Sequence, residues 1–456
     1  MAGPLNVSAI AEAAVRVAPR VTRAAEETLP FVTAADDVLR TAGSAFERDA
    51  ADVVQLALDL PAAQRPRLVI VGIGRTPPKT TQALIEEAAK RGMVPGEDII
   101  ATRYADLRVG ANRGFVRLAD GTGADGMVLA GQGRQSLFLF RGGGNLKESH
   151  LRKIGMIQAV DGATALTDLS FIERAGSKAI TYDRLHEAGL ALADTIPVKG
   201  EAAAVDAFEQ VTGRFGADTA VLKKVNSLGG KDVHFVRSAD DVRAVVAAEP
   251  DAEYVMQEFL PHAKDQDVRV HMVWDSDKGD FAIANSYVRN RNAFQLTPNL
   301  ANGGFPTNYV LSPWEEQQAL ESARVLAQGS EHPPLHVGLD FFPRRPITAS
   351  VVEGNAALQD AVAGGRMTLA DAIDASRDSV VIGEAASSAG TKGTELVLGS
   401  GNNPVVTRMI DEVQKLRNAA VPVAVDDALA GAHEIVGGVP GGMPGRVGRV
   451  MADGAA

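Results

Sequence analysis

The chain begins with two stretches in which the apolar residues are spaced as on one face of a helix. In the first stretch they recur every three or four positions, at Val7, Ile10, Ala14, Val17 and Val21. A polar cluster at 33–37 opens the second stretch, whose apolar face continues to Leu58. We predict a helical N-terminal segment over residues 1–60. Its apolar face fits packing against the next domain and a homodimer interface equally well.

The pattern changes at 66–74, where PRLVIVGIG is a short apolar run that ends in glycine. Such a run is typical of a buried strand in a parallel sheet. The helical pattern TTQALIEEAAKRG follows, and further strand-like runs are IIATRY, GFVRLA and SLFLF. Strands that alternate with helices predict a small parallel-sheet α/β domain over residues 61–150.

Residues 151–358 contain more strand-like runs, separated by Gly or Asp turns. They include TAVLKKV, YVMQEFL, VRVHMVW, FAIANSYVR, LHVGLDFF and SVVEGNA. We predict an α+β body in this range. Residues 359–456 form a C-terminal extension that begins with helical runs, continues with a strand-like VVIGEA and ends rich in Gly and Pro. The predicted fold class is therefore α/β and α+β.

Composition narrows the classes of function. The 456 residues are 45 % apolar and 23 % charged, which is ample for buried cores. The net charge is −11 and no basic stripe stands out, so we expect no nucleic-acid partner. The absence of cysteine excludes disulfides, thiolate nucleophiles and Cys-based zinc sites. No apolar run approaches the roughly 20 residues of a membrane span, and no signal-peptide pattern occurs, so we expect a cytoplasmic protein without a membrane partner.

Residues that carry chemistry occur in four groups, and the first is VLKKVNSLGGKDVHFV at 221–236. A hairpin loop with Gly229 and Gly230 lets backbone N–H groups approach phosphate oxygens closely. Lys223 on the entering strand supplies a fixed cation for the same phosphates. Lys224 follows directly, so one register step decides which lysine faces the phosphate. Alone, this pattern is better explained by an ordinary hairpin.

The second group is YVMQEFL at 254–260, where Gln-Glu and a bulky apolar residue suit an adenine site. Asp267 and Arg269 alternate on one face of the next strand. In the third group Arg289 precedes LTPNLANGG, which contains Asn299. An arginine in a phosphate site can bind a tetrahedral transition state through two hydrogen bonds. Taken singly, each group fits a surface salt bridge or a solvated strand edge at least as well.

The fourth group consists of GLDFF with Asp340 and VVEGN with Glu353 and Asn355. We predict two neighbouring strands joined by the PRRP turn, with Glu353 and Asn355 on one face. Three oxygen donors on paired strands suit Mg²⁺ when nucleotide phosphates complete its octahedron. Polar residues in apolar surroundings are costly unless they are used, so we favour a metal site over ordinary polar strand ends.

The order of these groups resembles the ATP-grasp superfamily, in particular the branch of glutamate ligases that extend the tail of a ribosomal protein. The resemblance covers about 150–358, and more loosely the α/β domain before it. It implies an ATP-grasp fold and an ATP-dependent carboxylate–amine ligase that works through an acyl phosphate. The implied cofactors are ATP and Mg²⁺, with Mn²⁺ as an alternative. The extra terminal segments resemble stand-alone peptide ligases of antibiotic and other natural-product pathways, of the pheganomycin type.

The resemblance also implies individual roles. Two lysines, Lys178 and Lys223, bind phosphates together with the Gly229–Gly230 loop. Glu258 and Phe259 border the adenine, Asp267 reaches the ribose, and Asn299 helps to hold nucleotide or metal. Arg289 and Lys223 are the catalytic cations, and Arg289 stabilises the transferring phosphoryl group and the tetrahedral intermediate. The implied metal ligands are Asp340, Glu353 and Asn355.

The sequence departs from the family pattern after the proposed metal site. Relatives continue with a Ser-Ser-Pro-Gly type of turn, whereas this chain has AALQD. A similar run, GEAASSAGTKG, occurs at 383–393, but its residue matching the family's asparagine is Ala386. We therefore assign the metal site to VVEGN and expect GEAASSAGTKG to line the acceptor pocket.

The substrates implied by the resemblance are a small-molecule carboxylate and an amine or peptide. Two other functions remain open from sequence. One is a ligase that extends a polyamino acid or a protein tail with glutamate. The other is an ATP-binding scaffold without catalytic activity. A complete set of metal ligands argues against the scaffold.

Overall fold

A computed structural model describes residues 65–110, 114–119, 126–142, 146–227, 232–293 and 297–419. All of them fall within one unit, residues 61–422. The predicted helices at 1–60 and the loop with Gly229 and Gly230 lie outside the described residues. Within the described part of the chain, the strands form four sheets.

The first part of the chain alternates strands and helices, as its sequence predicts. The strands are β1 (Arg67–Gly72), β2 (Ile99–Arg103), β3 (Leu107–Val109), β4 (Phe115–Leu118), β5 (Val128–Gly131), β6 (Ser136–Phe140) and β7 (Ala163–Ala165). The helices are α1 (Lys79–Lys90) and α2 (Glu148–Gln158). A parallel sheet has the order β2-β1-β6-β7, and β3, β4 and β5 form a small antiparallel sheet. The predicted parallel-sheet α/β domain is confirmed.

The second sheet is antiparallel, with the order β10-β9-β11-β8. Its elements, and the two helices before it, are α3 (Leu169–Gly176), α4 (Lys178–Glu187), β8 (Thr195–Lys199), α5 (Glu201–Phe215), β9 (Ala220–Lys224), β10 (Val233–Val236), α6 (Ala239–Ala248) and β11 (Glu253–Glu258). Leu222 and Met256 pack on one side with Phe208 of α5 and Val246 of α6. Because side chains alternate along a strand, Val221 and Lys223 point to the opposite face.

The third sheet is also antiparallel, with the order β14-β13-β12-β15-β16. The remaining elements are β12 (Gln266–Asp275), β13 (Asp280–Asn290), β14 (Phe305–Asn308), α7 (Pro313–Ala327), β15 (His336–Pro343), α8 (Ala349–Ala363), α9 (Leu369–Ser376), β16 (Val380–Ala386), α10 (Lys392–Leu398) and α11 (Pro404–Ala419). Its apolar face, with Val268, Leu339 and Phe341, packs against Trp314 and Leu326 of α7. Its opposite face carries the charged residues of the site.

The C-terminal helix α11 returns to the first domain. Its Met409 and Val413 pack in one core with Leu84 of α1 and Leu68 of β1. Arg417 near its end is buried and donates to the carbonyl of Pro66 at 2.6 Å. The predicted C-terminal extension thus supplies part of the core of the parallel-sheet domain.

The strand predicted at SVVEGNA is wrong. These residues lie in α8, which runs from Ala349 to Ala363. The two adjacent valines suggested a strand, but Val352, Asn355 and Gln359 are spaced as on one side of a helix. Val352 packs against the core of the third sheet, and Gln359 donates to the Leu311 carbonyl at 3.1 Å. Tertiary packing therefore outweighs the strand propensity of the valines.

The expected domain boundaries also differ from the positions of the sheets. Strand β7 at 163–165 belongs to the parallel sheet, beyond the expected boundary at 150. Residue 358 falls inside α8, and β16 pairs with β15 well after it. The third sheet therefore takes its edge strand from the region that sequence assigned to an extension. None of the helices in the described residues combines the length and apolarity needed to cross a bilayer.

Candidate active site

A cavity of about 500 Å³ lies between the two larger antiparallel sheets. This volume is within the range of small-molecule sites, about 300–1,000 Å³. Among the described residues, its lining includes the cationic side chains Lys178, Lys223, Lys264, Arg269, Arg289 and Lys392. The carboxylates that line it are Glu258, Asp267, Asp340 and Glu384. A cavity with more cations than anions, in a chain of net charge −11, suits an anionic ligand.

Two lysines reach the cavity from different elements. Lys178 is the first residue of α4, directly after Ser177, whose hydroxyl accepts from the Ile180 backbone N–H and begins the helix. Its Nζ donates to the Ser227 carbonyl at 2.8 Å. Lys223 comes from β9, and its Nζ donates to Gln257 Oε1 at 2.5 Å and lies 4.7 Å from the centre of the Phe342 ring.

The structure settles which of the adjacent lysines faces the cavity. Lys223 is 8 % exposed and lines the cavity, whereas Lys224 is on the other face of β9 and pairs with Glu249. Burial lowers the pKa of Lys223 to about 8, and the nearby Glu384 opposes this shift. The described contacts of this ammonium are with the Gln257 amide and the Phe342 ring, so its charge is available to an anionic ligand such as phosphate.

The end of the cavity beside β11 is more apolar. Phe259 and Phe235 line it and meet edge to face, with ring centres 5.6 Å apart. Glu258 is buried, and its Oε1 accepts from the Asp194 backbone N–H at 3.0 Å and from Arg344 at 3.2 Å. These residues border a flat, partly apolar space, as the sequence predicts for an adenine site, and their role remains a prediction.

Four charged side chains form a row on the cavity face of the third sheet. Arg289 donates to both oxygens of Asp267, at 2.6 and 2.7 Å, and to Asp340 Oδ2 at 2.6 Å. Arg269 donates to both oxygens of Asp340, at 2.8 Å to Oδ2. The strand register places these residues opposite one another, Asp267 with Arg289 and Arg269 with Asp340. Signs therefore alternate along the row.

The row is buried and electrically balanced. Burial favours the neutral carboxyl, but Arg269 and Arg289 outweigh it and lower the pKa of Asp340. Burial raises the pKa of Asp267 to about 6, although Arg289 opposes it. Burial would lower the pKa of Arg289, but Asp267 and Asp340 raise it well above its usual value. With both oxygens of Asp267 on Arg289, the predicted ribose contact would require that pair to open.

Asp340 has a second carboxylate beside it, and the residue is Glu384. The two are direct register partners on β15 and β16, and both line the cavity. Lys178 Nζ lies 3.6 Å from Glu384 Oε1, so the lysine side of the cavity meets the carboxylate side here. The sequence predicts that GEAASSAGTKG is not the metal site, because Ala386 replaces an asparagine, and this prediction is at odds with the position of Glu384 beside Asp340. The signal for Glu384 was the strand-like VVIGEA, in which this glutamate is the second-last residue.

Glu353 and Asn355 do not belong to this site. Glu353 is exposed on α8, and neither residue lines the cavity. Asn355 is buried, and its Nδ2 donates to the Val310 carbonyl at 2.9 Å and the Tyr309 hydroxyl at 3.1 Å. Their assignment as metal ligands fails because they lie on a helix rather than on the strand beside β15.

The opposite end of the cavity is formed by the segments after β13 and β16. Asn299 lines it, and its Oδ1 accepts from the Ala301 backbone N–H at 2.8 Å. Lys392 in GEAASSAGTKG also borders the cavity, and the role of this segment as a wall of the acceptor pocket stays a prediction. Gly393 packs so closely on the Tyr287 ring that a Cβ would lie 2.3 Å from it. Any side chain at 393 would therefore require Tyr287 to move.

Arg141 fixes the backbone of the segment after β16. It is 7 % exposed and donates to the carbonyls of Ser388 and Ala389 at 3.4 and 3.3 Å. The Gly142 backbone N–H donates to the Ser388 hydroxyl at 3.3 Å. The parallel-sheet domain thus holds one wall of the cavity in place.

Comparison with known proteins agrees with this geometry. Residues 175–360 match the model of the family described as a RimK-like ATP-grasp domain. None of the curated protein sequences compared with the chain is significantly similar to it.

Solved structures with a similar chain path include D-cycloserine synthetase DcsG, with a TM-score of 0.52 and 13 % identity. That match covers 77 % of this chain and 100 % of the other. A RimK domain ATP-grasp protein from Sphaerobacter thermophilus DSM 20745 matches with a TM-score of 0.46 and 14 % identity, over 76 % and 99 %. The macrocyclase MdnC bound with precursor peptide MdnA, from Microcystis aeruginosa MRC, gives 0.48 and 14 %, over 76 % and 99 %.

The chain has the fold of the ATP-grasp proteins. More narrowly, residues 175–360 are a RimK-like ATP-grasp domain. The ATP-grasp fold that the order of sequence motifs indicated is therefore confirmed, and the RimK-like domain is confirmed over residues 175–360.

Proposed function

We propose that this protein uses ATP and Mg²⁺ to join an amino-acid-like carboxylate to the amine of a peptide or amino acid. The observation that carries the proposal is the meeting of Lys178 and Glu384 across the cavity, 3.6 Å apart. It brings the cations from α4 and β9 to the carboxylates of β15 and β16. A triphosphate bound beside this pair would contact the cations on one side and a carboxylate-bound metal on the other.

The donor set fits a magnesium ion that is shared with a nucleotide. Among the described residues, no group of three or more His, Asp or Glu side chains forms a metal site by itself. Asp340 and Glu384 are register partners with hard oxygen ligands. Mg²⁺ commonly uses one or two carboxylates and takes its other ligands from phosphates and water. These two residues would hold Mg²⁺, or Mn²⁺ as an alternative, and the ion would neutralise phosphate charge.

The remaining cavity residues suit the two steps of acyl-phosphate chemistry. A carboxylate oxygen of the acid attacks the γ-phosphorus, and the bond to the β-phosphate oxygen breaks to release ADP. A neutral amine then attacks the acyl carbon, the bond to phosphate breaks, and the amine proton leaves to solvent or phosphate. Lys223 and Arg289 lie where they can offset the negative charge that develops in both steps.

The proposed substrate class rests on resemblance. The RimK-like domain and the fold shared with D-cycloserine synthetase DcsG favour acids and amines related to amino acids. A natural-product pathway, such as antibiotic biosynthesis, is the context that the sequence resemblance implies. Asn299 and Lys392 line the same cavity as the proposed phosphate-binding lysines.

The test separates formation of the acyl phosphate from choice of amine. The purified full chain is incubated with ATP, Mg²⁺ and a panel of amino-acid-like acids in the presence of hydroxylamine, which traps acyl phosphates as hydroxamates. The same acids are then paired with amino acids and peptides, and ADP and product masses are measured. We expect one acid to give a hydroxamate, and acid and amine together to give a product lighter than their sum by one water.

Other outcomes identify the alternatives. A ladder of products that differ by one glutamate would indicate the tail-extending ligase. If ATP stays intact with every acid and no hydroxamate forms, the chain is an ATP-binding scaffold and the proposal is wrong. Glu384→Gln is the matched inactive control, because it removes one proposed ligand and keeps the size of the side chain.

A further inference from the structure

Asp340 offers its oxygens to two arginines at once. Arg269 donates to both oxygens, and Arg289 adds a third hydrogen bond to Oδ2 at 2.6 Å. Asp340 is 5 % exposed, and the two arginine side chains are 12 % exposed or less. In such buried surroundings charge-assisted hydrogen bonds are strong, and the guanidinium groups repel a metal cation that approaches Asp340.

The two arginines differ in whether they have a second carboxylate partner besides Asp340. Arg289 also binds Asp267 through two hydrogen bonds, and it lines the cavity. It can therefore leave Asp340 without losing every carboxylate partner. Within the described part of the chain, the carboxylate contacts of Arg269 are all with Asp340. A phosphate in the cavity is a strong acceptor for a guanidinium, so Arg289 is the member of the row that a nucleotide would draw away.

We propose that Arg269 and Arg289 mask Asp340, so that the divalent metal joins the site only together with the nucleotide. Phosphate oxygens draw Arg289 off Asp340, and the freed lone pairs of Asp340 then bind the cation beside Glu384. The metal and the phosphates neutralise one another as they enter, which a buried row of balanced charge requires. This inference rests on the proposed function, because it uses the same nucleotide and metal site.

The mask has a chemical consequence for the enzyme. A metal ion bound by Asp340 and Glu384 without a nucleotide would have open coordination positions, and other anions could bind there. Coupling its binding to the nucleotide means that metal, triphosphate and Arg289 take up their places in one event. Arg289 then lies against phosphate rather than carboxylate, where its charge can act on the transferring group.

The experiment measures binding of Mn²⁺ to the full chain without turnover. Free Mn²⁺ is followed by electron paramagnetic resonance during titration with protein, with and without a non-hydrolysable ATP analogue, and an analogue-only blank corrects for metal held in solution. For the wild type we expect the dissociation constant without analogue to be at least about tenfold weaker than with it, the effect of one charged hydrogen bond.

The variants separate masking from general damage. Arg289→Gln and Arg269→Gln should each tighten Mn²⁺ binding without analogue by about tenfold, a gain that loss of structure cannot produce. The control is Arg324→Gln, because Arg324 makes a similar two-bond pair with Asp280 on the surface, and Mn²⁺ binding should not change. Glu384→Gln should weaken binding in the presence of the analogue.

The wild-type comparison can overturn the inference even if a variant fails to fold, whereas support for the mask requires the tighter nucleotide-free binding of the arginine variants. Equal Mn²⁺ affinity with and without the analogue overturns the mask and leaves the ligase proposal intact. No Mn²⁺ bound in either condition means that the proposed metal site itself is wrong. Unchanged nucleotide-free affinity in folded Arg289→Gln and Arg269→Gln also overturns the mask.

Discussion

Asp340 and Glu384 face each other as register partners on adjacent antiparallel strands, β15 and β16. Both side chains line the cavity, and the lysine of α4 approaches Glu384 from the other wall. Two helices, α8 and α9, are inserted between the two strands. The carboxylate pair is therefore made by the sheet and not by a short hairpin.

Replacing Glu384 should abolish ligase activity, whereas replacing Glu353 should not. Loss of residues that merely support metal ligands costs about 10–100-fold, so loss of a ligand should reduce ADP formation by more than about 100-fold. Glu353→Gln is the matched control, because Glu353 is exposed on α8. Steady-state ADP release at saturating Mg²⁺ measures both. The assignment fails if Glu353→Gln is the variant that loses activity.

Lys223 and Lys224 form a second matched pair. Lys223→Met keeps the bulk of the buried side chain but removes its charge, so KM for ATP should rise by about tenfold or more, the effect of one charged hydrogen bond. Lys224→Met removes an exposed ion pair with Glu249 and should change KM by less than about twofold. ATP-dependent ADP release under initial-rate conditions measures this. Equal effects of the two substitutions would contradict the register of β9.

Nucleotide binding should depend on pH through Lys223. Its pKa is lowered to about 8, so the ammonium that binds phosphate is fully present below that pH and is lost above it. Binding above pH 8 must then take up a proton, and affinity should fall with rising pH by at most about tenfold per unit. Calorimetry with a non-hydrolysable ATP analogue, in buffers of different ionisation enthalpy, measures the proton uptake. The Lys223→Met variant should lack the proton uptake that is due to Lys223.

Arg289→Ala should remove most of the catalytic rate while the protein stays folded. Removing one preorganised donor to a developing negative charge typically costs about 10²–10³ in kcat. Arg289→Lys should recover part of the rate, since a single ammonium replaces a two-bond donor. Arg291→Ala is the control, because Arg291 pairs with Asp265 outside the cavity lining. Single-turnover ADP formation distinguishes the three variants, and wild-type rates in Arg289→Ala would refute the role.

Asn355 should matter for stability and not for catalysis. Its amide donates to the Val310 carbonyl and to Tyr309, and Tyr309 in turn donates to the buried Glu315 at 2.9 Å. Asn355→Ala should therefore lower the free energy of unfolding by about 1–3 kcal/mol. Urea unfolding followed by circular dichroism measures the change. The value of kcat for the folded fraction should stay at the wild-type level, and a selective loss of kcat would contradict this placement.

Much of the nucleotide side of the site followed from local sequence. Lys223, Glu258 and Phe259 lie in or directly after strands whose alternation of apolar and polar residues is clear, and each borders the cavity. Asp267, Arg269 and Arg289 share one face because strand period fixes the direction of side chains. Lys178 was identified only by its counterpart in the resembling family, since the start of a helix has no pattern that indicates a phosphate.

The second proposed metal ligand, beside Asp340, could not be predicted from local sequence. The text VVEGN has the right residues at a short distance from Asp340, but it folds as part of α8 and buries Asn355 against Tyr309. A short spacing along the chain indicates the strand that pairs with β15 only when the two strands form a hairpin. Here the strand that pairs with β15 comes after two inserted helices.

The sequence by itself determined the class of fold, the strands that carry lysine and arginine, and the order of motifs that resembles the ATP-grasp family. Only the tertiary structure decided that Glu384 lies beside Asp340, that Asp340 is bound by two arginines, and that α11 completes the first domain. Periodicity reports the direction of each side chain within its own element. Pairing between distant elements depends on which surfaces bury the most apolar area together, and that is a property of the whole folded chain.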